Sequence, residues 1–101
     1  MSNVTDGQFF SFALRGQGVI DTTVHPGMGI NKDSNVFATV HEIGVIGGVA
    51  RPFIGIASIQ VLQIAMGIGE NNAPMDGAIS IRIQVLSNEA LDIRVCLLIF
   101  P

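Results

Sequence analysis

The amino-acid sequence predicts an all-β protein: a small antiparallel sandwich or jelly-roll-like barrel of about six to eight strands. Apolar and polar residues alternate along 79–86 and 91–100, which is the pattern of half-buried strands. Glycine, proline, asparagine and aspartate separate the other apolar segments at short intervals, as they do between the strands of sandwiches and barrels. A chain of 101 residues supports one modest core, so residues 1–101 are expected to form a single β domain.

The last two strands are expected to form a hairpin around the polar break at 87–89. Residues directly opposite each other share a face of the sheet, and a three-residue loop places Ile83 opposite Ile93. The alternating apolar residues from Ile79 to Val85 and from Leu91 to Leu97 then share one dry face. The hairpin is expected to close with Asn88 or Glu89 near the left-handed conformation.

The same register sets Arg82 directly opposite Arg94 on the other face of the hairpin. Two opposed cations repel each other, so the pairing requires an anion close by. Three sources are open: the neighbouring Asp92, a carboxylate of another subunit, and a bound anionic ligand. The second source makes Arg82 and Arg94 candidate interface residues.

The first half of the chain contains three more expected strands. Residues 8–14 and 19–24 are expected to form a first strand pair around a turn at 15–18. Residues 25–35 then form the first long loop, since they combine a proline with glycines and Asx residues. A strand at 36–46 follows and ends at a pair of glycines.

Residues 53–66 are ambiguous between strand and helix. Ile56, Ile59, Leu62 and Met66 fall close to helical spacing. Five β-branched residues in the segment favour a long strand instead, with a bulge near residues 57–58. We predict the strand. Residues 67–77 are expected to form the second long loop.

The composition indicates a surface built for association. Hydrophobic residues make up 49% of the chain and charged residues only 13%, against roughly 25% charged in an ordinary soluble domain. A small domain has much surface, so part of this surface must be apolar, and large apolar patches mark interfaces. Leu98 and Phe100 lie on the face opposite the inferred core and are the expected interface residues, together with Phe53, Arg82 and Arg94.

Several function classes are disfavoured. The net charge of −3 and the lack of a basic run argue against nucleic acid, and the lack of Trp and Tyr argues against sugar stacking. No apolar run is long enough for a membrane span. The first six residues carry no standard signal peptide, so the protein is expected in the cytoplasm or outside the cell by a non-classical route.

Candidate site residues are few. Glu70, Asn71, Asn72 and Asp76 put four oxygen-bearing side chains in one loop, which is either a calcium or sodium site or an ordinary Asx-rich turn. We favour the turn. Neither histidine has a second ligand at metal-binding spacing, and no nucleophile is paired with a base. We therefore expect no metal, no cofactor and no catalytic residue, and we expect Cys96 to be a packing residue.

These observations predict a non-enzymatic, self-assembling structural subunit of a ring, filament, capsid-decoration layer or similar assembly, whose partner is a further copy of itself. The alternative is a small oligomeric ligand-binding or carbohydrate-binding module that uses loops 25–35 and 67–77. A third hypothesis is a membrane-acting toxin subunit, which would have to insert residues 53–66 into the lipid bilayer.

Overall fold

The computed structural model describes residues 7–101, and the segment on which the signal-peptide expectation rests, residues 1–6, lies outside that range. Within this range the chain forms seven strands and one short helical turn. The elements are β1 (Gln8–Gly16), β2 (Gly18–Val24), β3 (Asn35–Ile46), β4 (Val49–Phe53), β5 (Ser58–Ile68), a 3₁₀ turn (Glu70–Asn72), β6 (Pro74–Leu86) and β7 (Leu91–Phe100). No helix within the described range is long and apolar enough to cross a membrane.

The strands form two antiparallel sheets that pack face to face as a sandwich. Sheet A has the strand order β1-β7-β3-β4, and sheet B has the order β2-β6-β5. The predicted all-β class and the predicted number of strands are therefore confirmed.

The core lies between the two central strands, β6 and β7. Their alternating residues turn one side toward the opposite sheet, as the period of two requires. The buried apolar residues are Ile30, Ala78, Ile79, Ile81, Ile83, Val85, Ile93, Val95, Leu97 and Ile99. The face assignment made from the alternation in 79–86 and 91–100 is therefore correct.

The predicted pairing of β6 with β7 is wrong. Ile83 lies opposite Ile20 of β2 and Val61 of β5, whereas Ile93 lies opposite Leu14 of β1 and Glu42 of β3. The two strands occupy different sheets and face each other across the core. Alternation is satisfied equally by strands side by side and by strands in facing sheets, so it does not distinguish the two arrangements.

The turn after β6 and the turn after β1 also differ from expectation. Neither Asn88 nor Glu89 adopts a left-handed conformation. The expected pairing of 8–14 with 19–24 is wrong for the same reason as that of β6 and β7. One residue, Gln17, carries the chain from β1 in sheet A to β2 in sheet B.

The ambiguous segment 53–66 is extended, as predicted, but it is not one strand. β4 ends at Phe53, residues 54–57 cross from sheet A to sheet B, and β5 begins at Ser58. The irregularities of the β5–β6 ladder lie at Leu62 and Gly67, not at residues 57–58.

The predicted second loop, 67–77, is shorter than expected, because β5 runs through Ile68 and β6 begins at Pro74. Gly77, at the start of β6, meets the first loop at the other end of the sandwich. The Gly27 amide donates to the Gly77 carbonyl at 3.0 Å, and the Gly77 amide donates to the Ile30 carbonyl at 2.8 Å. These bonds hold the buried side chain of Ile30 over the end of the core. Gly67 is required where the loops meet, because a Cβ there would lie 2.9 Å from the Lys32 amide nitrogen.

Candidate functional site

The outer face of sheet A carries an apolar row across three adjacent strands. Phe9 of β1 and Phe37 of β3 both lie directly opposite Leu98 of β7, one on each side. Phe9 is 80% exposed and Phe37 is 63% exposed. Their exposure follows from the two-sheet architecture, because no third layer covers this side of sheet A within residues 7–101.

Phe100 extends the row by one position. Its ring meets the edge of the Phe37 ring at 83°, with the centroids 6.2 Å apart. Gly7 leaves room for the side chains of Leu98 and Phe100. A Cβ on Gly7 would lie 2.8 Å from Leu98 and 3.0 Å from Phe100. We name Phe9, Phe37, Leu98 and Phe100 the apolar face. The sequence placed Leu98 and Phe100 opposite the core, and the structure brings them together with Phe9 and Phe37.

The rest of the outer face of sheet A becomes polar toward the middle of the strands. Cys96 lies between Ser11 and Thr39, and Arg94 lies between Ala13 and His41. Cys96 is half-buried and carries a free thiol. A weak contact of 3.4 Å joins the Thr39 hydroxyl to the His41 ring. The polar centre limits the apolar face to one end of the sheet.

A second apolar surface lies at the opposite end of β3. Beyond Glu42, β3 pairs with β4 and no longer with β7, so the β3–β4 hairpin overhangs the sheet. We name residues 43–56 the apolar arm. Its exposed aliphatic residues are Val45, Ile46, Val49, Ile54 and Ile56. The sequence signal for this surface is an apolar run from Ile43 to Ala50 that lacks polar alternation.

Phe53, a predicted interface residue, does not belong to the apolar face. It ends β4 directly opposite Glu42, and its side chain is half-buried. A Cβ on Gly44 would lie 2.9 Å from the Phe53 ring, so the ring covers the glycine backbone of the arm. Phe53 is therefore part of the apolar arm, where its ring packs on the backbone of β3 next to Glu42.

The outer face of sheet B is mostly polar, although Val19 and Leu86 are also exposed there. Arg82 Nε donates to Asp21 Oδ1 at 2.7 Å, and Arg82 Nη2 donates to Asp21 Oδ2 at 3.1 Å. The guanidinium lowers the pKa of Asp21, mainly through these hydrogen bonds, and Asp21 raises the pKa of Arg82 in the same way. Gln60 Nε2 donates to Gln84 Oε1 at 2.8 Å beside them.

The expected opposition of Arg82 and Arg94 is wrong, because the two residues lie in different sheets. The anion that accompanies Arg82 is Asp21, which was not among the predicted sources. Asp92, one of those sources, instead pairs with Arg15 at 3.0 Å. The repulsion that assigned Arg82 and Arg94 to an interface is therefore absent.

A groove of about 700 Å³ runs along the outer face of sheet B beside the 3₁₀ turn. Glu70, Asn71 and Asn72 of the predicted ligand loop line it together with Asp21 and Arg82. Asp76, the fourth residue of that prediction, is not part of its lining. Within residues 7–101, no three side chains of the His, Cys, Asp and Glu types come close enough to hold a metal ion.

The fold and these surfaces define a small seven-stranded β-sandwich with one polar outer face and one partly apolar outer face. Comparisons with protein-family models, with curated proteins and with solved structures find no match for the chain.

Proposed function

We propose that this protein is a non-enzymatic, self-assembling structural subunit, and that copies associate through the apolar face. The observation that carries the proposal is the row formed by Phe9, Leu98 and Phe37 across three adjacent strands. Contiguous exposed apolar side chains of this kind mark interaction surfaces, whereas single ones do not.

The apolar face is not needed to complete the core. The core cluster between the sheets already has nine buried residues, and Phe9 and Phe37 point away from it. Burial of a phenylalanine side chain is worth about 2 kcal/mol, so each of these two rings leaves most of that gain unused in the single chain. Association of copies recovers it.

The distribution of apolar surface supports a defined assembly over unspecific aggregation. The apolar face and the apolar arm occupy opposite ends of β3, and the polar positions Thr39 and His41 lie between them. A subunit with two separate apolar surfaces contacts more than one neighbour, which a ring, a filament or a layer requires.

The test is the native mass of the purified protein by light scattering at micromolar concentration and physiological salt. We expect a mass well above the 10.7 kDa of one chain, and a smaller, folded species for Phe9→Ser combined with Phe37→Ser. Val19→Ser is the matched control, because Val19 is 58% exposed but belongs to sheet B. A native protein that stays at 10.7 kDa contradicts the proposal.

A small oligomeric ligand-binding module is the second candidate, and the groove on sheet B is the observation in its favour. Its lining has hydroxyl, amide and carboxylate groups, which suit a neutral polar ligand such as a sugar. It ranks lower because the groove has no aromatic ring for stacking, and its charged pair, Asp21 and Arg82, is already mutually hydrogen-bonded. NMR shifts confined to Thr23, Gln63 and Asn71 on addition of neutral oligosaccharides would favour it.

A further inference from the structure

Among the described residues, the edge of sheet A formed by β1 lacks most of the features that normally protect an edge strand. β1 keeps one continuous register with β7 over all nine residues from Gln8 to Gly16. It contains no proline, and Arg15 is its only charged residue. Its other side has no partner strand within the described chain. Such an edge presents unpaired backbone donors and acceptors to a further strand.

The other three edges are each interrupted. β4 has only five residues, two of which are Arg51 and Pro52. β5 has two register shifts, at Leu62 and Gly67. β2 has seven residues and carries the charged Asp21 at its centre. Short strands, prolines, charges and bulges are the means by which natural sheets prevent edge pairing. β1 is therefore the least protected of the four edges.

We propose that β1 of one copy pairs antiparallel with β1 of a second copy around a two-fold axis beside Phe12, so that sheet A continues across both copies. This inference rests on the self-association proposed above and adds to it a second contact, at the edge of the sheet that carries the apolar face. The joined sheet has eight strands, with two copies of the order β1-β7-β3-β4 meeting at β1.

The faces of β1 determine which registers are allowed. Phe10, Phe12 and Leu14 pack against the core, so opposite residues must belong to the same alternating set in both copies. A register centred on Phe12 meets this condition and also pairs every residue of the strand, from Gln8 opposite Gly16 onward. No other centre pairs all nine residues.

The same register is electrostatically compatible with itself. Arg15 of each copy lies opposite Phe9 of the other copy, and not opposite a second arginine. Both side chains point to the outer face and are exposed, and the charge of Arg15 is already balanced by Asp92 of its own chain at 3.0 Å. Like charges do not meet across the two-fold axis.

Edge pairing leaves the remainder of the apolar face accessible. Phe37, Leu98 and Phe100 lie on β3 and β7, away from the joined edge, and stay on the outer surface of the eight-stranded sheet. The dimer is then a building unit that still has apolar surface for further contacts.

Disulfide trapping tests the pairing. In the proposed register, Ser11 lies opposite Ala13 of the second copy, and antiparallel neighbours have Cα atoms about 4.5–5.5 Å apart, within disulfide reach. Cys96 must first be changed to Ser, because it lies directly opposite Ser11 in the same chain. The variants are then Cys96→Ser with Ser11→Cys, and Cys96→Ser with Ala13→Cys. Both substituted positions are exposed.

We expect a disulfide-linked dimer when the two variants are co-expressed and mildly oxidised, and severalfold less when either is oxidised alone. Efficient linkage of the Ser11→Cys variant alone overturns the register centred on Phe12. Absence of linkage in a mixture that keeps the native oligomer mass overturns edge pairing but leaves the proposed function standing. A native protein that is monomeric overturns both.

A charge test supplies the second measurement. Ser11→Lys with Ala13→Lys would set lysine opposite lysine twice in the proposed dimer. We expect the dissociation constant to rise roughly tenfold or more, with strand-type circular dichroism retained. Ser58→Lys with Gln60→Lys is the matched control, since these residues have the same spacing on the edge strand β5. Equal effects of the two pairs count against the β1 edge.

Discussion

Asp21 and Arg82 form a two-pronged ion pair across neighbouring strands, although they are 61 residues apart in the chain. The pair joins β2 to β6 on the outer face of sheet B, where both side chains are largely exposed. The pair thus bridges the edge strand of sheet B and its central strand. The energy of such an exposed pair is small and depends on pH and salt.

The first prediction concerns acid stability. The pKa of Asp21 is lowered from its ordinary value of 3.8 by the hydrogen bonds from Arg82. A lowered pKa in the folded state means that the pair contributes fully above the ordinary value, and that its contribution is lost as the pH falls through the folded pKa. The Asp21→Asn protein should therefore have a lower free energy of unfolding than the native protein near pH 7. At a pH below the folded pKa of Asp21 the two free energies of unfolding should be equal.

Urea unfolding between pH 2 and pH 7 measures this difference. Asp33→Asn is the control, because within residues 7–101 the ion-pair partner of Asp33 is its exposed neighbour Lys32. A stability difference between Asp21→Asn and the native protein that does not change with pH would show that the ionised pair is not its source.

The second prediction concerns the core. Val95 is fully buried in β7, between Phe12 of β1 and Val40 of β3. Val95→Asp would bury a charge without a partner, and we expect a loss of about 4 kcal/mol or more, enough to prevent folding. Thr39→Asp places the same charge on the exposed face of the neighbouring strand and should fold. Circular dichroism and thermal unfolding compare the two, and a folded Val95→Asp protein would contradict the assigned core.

The third prediction separates folding from association. Phe100 lies on the outer face of β7 and contacts the exposed ring of Phe37, not the core. Phe100→Ser should therefore keep its strand-type circular dichroism while losing oligomer mass. Unfolding of the variant would place Phe100 in the core. An unchanged mass would place the interface elsewhere, and a parallel measurement on Leu98→Ser would show whether the apolar face acts as a unit.

The sequence was sufficient to assign the faces of the central strands but not their neighbours. Ile83 and Ile93 were correctly placed in the core because a period of two fixes which side chains share a face. Their pairing was predicted wrongly because consecutive strands can lie side by side or in facing sheets with the same alternation. The ion pair of Asp21 with Arg82 was missed for this reason, since it depends on the pairing of β2 with β6.

The apolar face was only half predicted from the sequence. Leu98 and Phe100 belong to a strand with clear alternation, so their outward direction could be inferred. Phe9 stands beside a second phenylalanine, and Phe37 follows a valine, so local sequence does not reveal which of each pair points outward. Only the pairing of β1 and β3 with β7 assigns them to one row.

The last prediction concerns the apolar arm. Ile54 and Ile56 are 101% and 107% exposed and lie in the segment that crosses from β4 to β5. Side chains this exposed contribute little to the single chain, so Ile54→Ser with Ile56→Ser should change the free energy of unfolding by no more than about 0.5 kcal/mol. If the arm contacts a neighbouring subunit, the same variant should lose oligomer mass, because two isoleucines leave the interface. Light scattering and urea unfolding measured together separate the two effects, with Val19→Ser as the control for an exposed apolar residue outside both surfaces. A variant with native stability and native mass would show that Ile54 and Ile56 take no part in assembly, and association would then have to rest on the hairpin end of the arm, the apolar face and the β1 edge.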